Sequence, residues 1–546
     1  MSSPHVVTGV LGGESRHRAF FGGQGSRSRT LLLGAVVVAA LIGTPLIGWP
    51  ALAGGLIAAG LTVAATTRTH TGTVLERRTK RSRWRARRRL GTDRFAPYEL
   101  TTWLELQQQT TQGTRSARQL AAQGLAAMRA NPDGADCMGW LQSGPKEPGI
   151  AWHAPIGETE YLSVAFSVSG QISGIESATV LARAAEAWGQ FLASRAAASS
   201  LVEGVQTLTR VLPPDSARQQ LWAHLTLDPA APLAAQESYA EVIQRAGGGA
   251  MVQRHYVVVR WPVTSRFLDA AAHRGRGRDG WRALMAEEVE ATVRGLYEAR
   301  MGAVAPLTAR QTAALILHQQ NPTRPVDVVR GVDPTALGLP SHDEFSAHVV
   351  TSSDYGTGEP GQWWHRTAVI RAEAMAAGER TQLWALDLLV GRDLDFLRSI
   401  AFHLRLVPAG EAKAAARRDL TRDLADEISD RQHGRLANDT TTAAKSAARR
   451  RAEDLAAGSR HHGVEWIGAV TVSARTREEL ARACRLLYET CSQDLGIEHL
   501  DWQDSYQGAA SGMTWPIGRG LRAATAPLSA HMYERLAGRT EKEAIA

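Results

Sequence analysis

The sequence predicts an α+β protein that begins with an N-terminal two-helix transmembrane hairpin. A cytoplasmic body of two ferredoxin-like split β-α-β lobes follows, with a helical insertion. Three observations lead to this fold class. Residues 31–65 contain no charged side chain, and nine basic residues occupy positions 77–89. Strand–helix–strand patterns occur over 161–211 and again over 464–503.

The apolar run from Leu31 to Ala65 is too long for a single membrane crossing. As one helix it would measure about 52 Å, whereas the hydrocarbon core of a bilayer is about 30 Å thick. The segment "GTPLIGWP" interrupts the run with glycine and proline, which disfavour a continuous helix. We therefore expect two crossings, from Leu31 to Ile47 and from Trp49 to Ala65, with Trp49 at the membrane interface.

The positive charge of the chain is concentrated next to this run. Residues 1–89 carry fourteen basic and two acidic residues, and the total of +8 leaves −4 for the remaining chain. The protein therefore has a local basic cluster, which argues against a generally basic surface. The basic run consists of Arg77, Arg78, Lys80, Arg81, Arg83, Arg85, Arg87, Arg88 and Arg89.

Basic residues on both sides of the hairpin place both flanks, and hence the body, on the cytoplasmic side of the plasma membrane. The run is then expected to contact anionic lipid of the inner leaflet, and nucleic acid is a second possible partner. A competing interpretation treats 1–53 as a signal peptide, because Ala51 and Ala53 resemble a cleavage site.

Changes in composition predict the domain boundaries. The expected segments are an N-terminal tail 1–30, the hairpin 31–65, a basic juxtamembrane segment 66–95, a first α+β region 96–330, a loop-rich segment with central strands 331–408, a charged helical hairpin 409–457, a second β-α-β lobe 458–520 and a flexible tail 521–546.

Two segments of the body have competing interpretations. The charged helical hairpin 409–457 is expected to be solvated, and the alternative is a docking arm. Trp363, Trp364 and His365 open an alternating strand, where large aromatics most often fill the core. They are also a possible partner surface.

No catalytic signature is found, so we expect a protein that is not an enzyme and uses no cofactor or metal. A phosphate-binding loop requires the pattern GxxxxGK[ST], and none of the five lysines occupies it. No HExxH, CxxC or GxSxG pattern occurs either. The three cysteines, Cys137, Cys484 and Cys491, do not form a disulfide framework and fit a reducing compartment.

Several segments resemble a family of actinobacterial membrane proteins that are encoded with conjugative, type IV secretion-like machinery. The resemblance lies in "FFGGQGSRSRTLLLG", "WGQFLASRAAASSLVEGVQTLTRVLPPD", "WWHRTAVIRAEA", "HLRLVPAGEAKAAARRDLTRDLADEISDR" and "RRRAEDLAAGSRHHGVEWIGAVTVSARTREEL", and extends over roughly 20–520. Family members carry a transmembrane hairpin followed by a region similar to the N-terminal, non-motor part of the conjugative type IV secretion ATPase.

The resemblance implies an assembly component of a DNA- or protein-translocating complex, within a larger hetero-oligomer that includes a separate motor ATPase. Three other functions stay open. They are a core membrane component of a type VII secretion system, a membrane-tethered nucleic-acid-handling protein and an enzyme with an unrecognised active site.

Overall fold

The fold is taken from a computed structural model of the chain. It describes residues 8–12 and 27–520, except 67, 70–71, 156–158, 173, 175, 214–224, 227, 229, 248–250, 328, 356, 377, 382, 392–393, 419–420, 422–448, 451–452 and 456–460. Most of the predicted N-terminal tail, the centre of the predicted hairpin 409–457 and the whole predicted tail 521–546 therefore lie outside the described residues.

The apolar run forms two helices, α1 (Arg27–Ile47) and α2 (Trp49–Thr66), which pack against each other. Gly48 joins them with a φ of +80°, a left-handed conformation that favours glycine. Among the helices that the structure describes, none has both the length and the apolar content that a membrane crossing requires. Glycines and threonines inside both helices, and the two arginines that begin α1, dilute their apolar character.

The predicted transmembrane hairpin, Leu31–Ile47 with Trp49–Ala65, was therefore wrong. The multi-pass location in the plasma membrane, with the body on its cytoplasmic side, depended on that hairpin and is not supported. The expected contact with anionic lipid was inferred from that location, so this inference loses its support as well.

The remaining helices are α3 (Val74–Leu90), α4 (Leu100–Thr111), α5 (Arg115–Ala127), α6 (Ala178–Arg195), α7 (Leu233–Gly247), α8 (Ser265–Ala272), α9 (Gly277–Glu298), α10 (Ala309–Gln320), α11 (Leu386–Val390), α12 (Arg477–Gln493) and α13 (Gln507–Ser511). The strands are β1 (Thr8–Leu11), β2 (Arg68–Thr69), β3 (Gly72–Thr73), β4 (Arg94–Pro97), β5 (Met128–Arg129), β6 (Met138–Gln142), β7 (Ile150–His153), β8 (Tyr161–Val168), β9 (Gly204–Leu212), β10 (Val252–Pro262), β11 (Val304–Pro306), β12 (Ser341–Asp343), β13 (His348–Ser353), β14 (Pro360–Arg371), β15 (Gly378–Thr381), β16 (Leu397–Val407), β17 (Gly463–Ala474) and β18 (Asp501–Trp502).

One sheet of fourteen strands organises the body. Twelve strands follow the order β5-β4-β12-β13-β14-β17-β16-β9-β10-β8-β7-β6, while β11 pairs with β8 and β18 pairs with β14. The β4–β5 pair is parallel and the other pairs are antiparallel. The predicted fold class was therefore wrong on a second point, because the two expected lobes do not form separate sandwiches. The described residues form a mixed α/β protein with one large continuous sheet and two small sheets, β1–β15 and β2–β3.

The two halves of this sheet have the same strand order. The first runs β11-β8-β10-β9 and the second runs β18-β14-β17-β16, and they join where β9 pairs with β16. Helix α12 follows β17 and begins at Thr476, which forms the predicted capping box with Glu479.

The sheet is strongly curved. Its end strands, β5 and β6, are separated by only eight residues, which can span at most about 30 Å. Twelve flat strands at about 4.8 Å spacing would place those ends about 50 Å apart. The ends must therefore approach each other, and the sheet acquires a concave and a convex face.

Different elements cover the two faces. On the convex face, Phe191 of α6 and Leu284 of α9 share a core with Leu162 and Phe166 of β8. On the concave face lies α10, in which every residue except Arg310 and Gln311 is buried. Its Leu315 packs against Leu208 of β9 and other residues of the central strands.

Candidate interaction surface on the basic helix

Helix α3 contains all nine residues of the basic run, and burial divides it into two faces. Arg77, Lys80, Trp84 and Arg87 are half-buried, whereas every other residue from position 78 to 90 is exposed. The half-buried positions are three or four residues apart, so they lie on one face of the helix. We call Lys80, Trp84 and Arg87 the docked face, and we refer to the exposed remainder of the helix, with Arg77 at its edge, as the outer face.

Arg87 fixes the docked face to the body. Its Nη1 donates to Asp343 Oδ2 at 2.7 Å and to the carbonyl of Ser505, and its Nη2 donates to Asp133 Oδ2 at 3.0 Å. The guanidinium also stacks on Tyr506, 4.7 Å from the ring centroid. One arginine thus joins α3 to segments that lie 46, 256 and 418 residues away in the chain.

Asp343 is the centre of this cluster and is held ionised. Its Oδ1 accepts hydrogen bonds from His348 Nδ1 and from the amide of Gly508, both at 2.8 Å. Burial favours the neutral acid, but His348 and Arg87 outweigh it and lower the pKa of Asp343 below its usual value. A side chain at position 508 would collide with both groups, so glycine is required there.

The pKa values of the two other charged groups in the cluster, Asp133 and Arg87, are raised instead. Burial raises the pKa of Asp133 above its usual value despite the nearby Arg129 and Arg87. Burial opposes the charge of Arg87, yet Asp343 and Asp133 raise the pKa of the guanidinium above its usual value. The arginine therefore keeps its charge in a site where an unpaired cation would be strongly destabilising.

Three further contacts hold the helix. Trp84 packs edge-on against Phe345 with ring centroids 6.1 Å apart, and Lys80 Nζ donates to the carbonyl of Trp502 at 3.0 Å. At the end of the helix, Gln123 Nε2 donates to the carbonyl of Arg89 at 3.0 Å. These contacts fix both the position and the rotation of α3 on the body.

The Asp343 cluster offers no room for a substrate. The space between Asp93, Ser341, Asp343 and His348 measures about 10 Å³. That is the lower limit for a single water molecule. The cluster therefore acts as a structural joint between α3, β12 and α13.

The outer face has a different character. Arg77, Arg78, Arg81, Ser82 and Arg85 line an open cleft of about 570 Å³. Arg88 stacks on Trp84 at 5.0 Å and Arg89 is exposed beside it. Arg83 is exposed as well. The basic run therefore has one buried anchor, Arg87, and a broad exposed set of guanidinium groups.

The three residues of the possible partner surface do not lie together on the outside. Trp363 is buried beneath the guanidinium of Arg475, which lies 4.5 Å from its ring centroid. His365 is buried between Ser473 Oγ and the carbonyl of Gln320, at 2.8 and 3.0 Å. Trp364 is half-buried and packs against the apolar core between the second half of the sheet and α12. Strand β14 alternates between two covered faces, and this explains their burial.

Of the residues predicted for the hairpin, Trp49 is 77% exposed at the start of α2. The side chains of Leu31, Ile47 and Ala65 lie outside what the structure describes.

Sequence analysis identified the basic run but missed the acidic cluster that receives it. Asp343 lies in "SHDEF", which the sequence places in a loop, and Asp133 lies in a turn. Neither residue belongs to a recognisable motif. Their roles depend on contacts with α3 that no local pattern records.

Among the described residues, no group of three or more His, Cys, Asp and Glu side chains is arranged to hold a metal ion.

Comparison of the chain with models of known protein families gives no match. Comparison with curated proteins gives no match either.

Replacing Arg87 should be strongly destabilising, because the change removes the guanidinium from the buried Asp343 carboxylate and from Asp133, which keeps Arg129 as a partner. We expect Arg87→Met to lower the free energy of unfolding by about 3–5 kcal/mol. Chemical denaturation of the full chain measures the change. Arg88→Met is the matched control on the exposed side of the same helix and should change stability by less than about 0.5 kcal/mol. Equal effects of the two variants would contradict the anchoring role.

Proposed function

We propose that the protein is a non-enzymatic assembly component of a conjugative or type IV secretion-like translocation complex, and that it works with a separate motor ATPase. The resemblance of segments across 20–520 to the non-motor part of the conjugative ATPase supports this proposal. The arrangement of the body supplies a second, independent argument.

That argument rests on how the reactive side chains of the body are used. His365 bonds through both ring nitrogens, and Asp343 accepts hydrogen bonds from His348, Gly508 and Arg87. His403 bonds the carbonyl of Met513 at 2.7 Å. Groups that often perform chemistry in enzymes here join distant segments to one another. This use of buried polar groups is typical of a rigid structural part.

The continuous sheet fits the same role. Strands β9 and β16 join the two halves through a register of eight residue pairs, from Arg398–Val211 to Arg405–Gly204. Helices cover both faces of the sheet, and residues 507–518 cover part of the concave face. A single sheet of this kind holds its outer surfaces in fixed relative positions, as an assembly component requires.

Crosslinking in the producing cells tests the proposal. The tagged full chain is crosslinked, purified from nuclease-treated extract, and its partners are identified by mass spectrometry. We expect a motor ATPase and other translocation components among them. Nuclease treatment ensures that nucleic acid does not bridge the recovered proteins.

A biochemical measurement complements this experiment. The purified chain is expected to hydrolyse no ATP alone, and a reciprocal purification through the tagged ATPase should recover the chain. Recovery of no translocation component in either direction would contradict the proposal. ATP hydrolysis by the purified chain would also contradict the proposal, and Lys445→Ala is the check on it, because Lys445 is the one lysine in the sequence that is followed by Ser or Thr.

A further inference from the structure

The outer face of α3 places five exposed arginines close together on one helix. Some arginines elsewhere on the described surface pair with carboxylates, as Arg254 does with Asp327 and Arg274 with Glu287. Within the described residues, no carboxylate forms an ion pair with the outer-face arginines. These are Arg78, Arg81, Arg85, Arg88 and Arg89.

One polar atom in the cleft also lacks a partner. The Nε of Arg77 is buried and makes no hydrogen bond within the described residues. Arg77 lines the same cleft as Arg78, Arg81 and Arg85. Arg77 therefore keeps one N–H group that no acceptor among the described residues satisfies.

The geometry of the cleft suits a chain of phosphates. Arg78, Arg81 and Arg85 follow one another at helical spacing and extend over about 10 Å along the axis. One nucleic-acid strand places a phosphate about every 3.4 Å along its own axis, so about three phosphates face this stretch. Guanidinium groups bind phosphate oxygens through paired N–H donors, which favours arginine over lysine at such sites.

We propose that the outer face of α3 binds the phosphate backbone of a nucleic acid, without reading its base sequence. The docked face supplies the rigidity that this function needs. Arg87, Lys80 and Trp84 hold the helix against the body, so the outer guanidinium groups are presented at fixed spacing. The cleft is open and is lined by arginines of one helix, so an extended strand can lie along it. This inference does not depend on the proposed translocation role.

Direct binding measurements test the proposal. The full chain is titrated into a fluorescent 25-nucleotide DNA, single-stranded or duplex, between 50 and 300 mM salt. We expect binding of both, with an affinity that falls steeply with salt. The variant Arg78→Gln/Arg81→Gln/Arg85→Gln should bind duplex about 100-fold or more weaker at 100 mM salt. Its log–log salt slope should be smaller by about 3, since each lost phosphate contact removes about 0.9.

Two control variants separate local from general charge effects. Arg183→Gln/Arg482→Gln/Arg485→Gln removes the same charge from exposed positions on α6 and α12 and should leave affinity within about threefold. Arg78→Lys/Arg81→Lys/Arg85→Lys keeps the charge and should retain most of the salt slope. Thermal unfolding of each variant confirms that the body is folded, since all replaced side chains are exposed.

Four results would overturn the proposal. The first is wild-type affinity in the glutamine variant of α3, and the second is an equal loss in the α6–α12 control. The third is binding of the wild-type chain to phosphatidylserine-containing vesicles with no binding to DNA at 50 mM salt. Random-sequence and homopolymer DNA should bind alike, and strong discrimination between them would contradict backbone recognition.

Discussion

A chain that ends at Tyr506 is expected not to reach the folded state. The missing segment, 507–518, lies on the concave face of the sheet and is buried almost completely. Side chains from elements far away in the chain form hydrogen bonds with this segment. These bonds come from Gln206 of β9 to the carbonyl of Trp515, from Gln319 of α10 to the carbonyl of Thr514, from His403 of β16 to the carbonyl of Met513, and between the hydroxyls of Thr471 of β17 and Thr514.

The size of the expected loss follows from what the truncation exposes. Trp515 and Ile517 are buried, and each contributes about 1.5–3 kcal/mol by removing apolar surface from water. The buried groups that bond to the segment would each lose a partner, at about 1–3 kcal/mol apiece. The total reaches about 10 kcal/mol, which is comparable to the whole stability of a typical domain.

Circular dichroism and thermal unfolding of the truncated chain measure this effect. The control ends at Gly520 and keeps every contact described above. We expect the control to unfold cooperatively and the chain ending at Tyr506 to lack a cooperative transition. A cooperative transition at the same temperature in both chains would show that the segment is not part of the stable core.

The sequence predicts much of the secondary structure, because many of its features depend only on residues that are close together in the chain. The apolar run of β8 and the capping box at Thr476 are visible because neighbouring residues determine them. The sequence does not predict the burial of α10 in the same way, because its His318 is compatible with the core only when Arg210 bonds to it. That guanidinium, 108 residues earlier in the chain, bonds to the imidazole at 2.9 Å.

The same limit applies to the sheet and to the basic helix. Pairing of β9 with β16 joins segments nearly two hundred residues apart, and the sequence holds no local record of their register. Composition shows the nine charges near α3, but it cannot show that Arg87 is the buried one. That choice depends on Asp133 and Asp343, which lie far along the chain. Local periodicity therefore predicts elements, whereas distant contacts determine the candidate site.

Stability is expected to fall steeply as the pH drops from about 7 to 5, because the fold buries neutral histidines. Burial lowers the pKa of His365 to about 3 and the pKa of His403 to about 4. The nearby positive charges of His348 and Arg210 lower the pKa of His365 further, and the charge of Arg260 lowers that of His403 further. Burial also lowers the pKa values of His153 and His318 well below the usual value.

The sign follows from proton binding in the two states. In the unfolded chain a histidine has a pKa of about 6.5, so between that value and the folded pKa the unfolded state binds the extra proton. The stability from these residues is complete above about pH 7 and is lost as the pH falls through this window. At pH 5, His365 and His403 together should remove about 4 kcal/mol, at 1.36 kcal/mol per pKa unit.

The His403→Gln variant isolates one part of this effect. The glutamine amide can still donate to the carbonyl of Met513, but it does not titrate. We expect its loss of stability between pH 7.5 and 5 to be about 2 kcal/mol smaller than that of the wild type, measured by urea unfolding at each pH. His273→Gln, at an exposed position, is the matched control and should leave the pH dependence unchanged. Identical slopes in the wild type and in His403→Gln would mean that this histidine is already protonated, or solvated, in the folded protein.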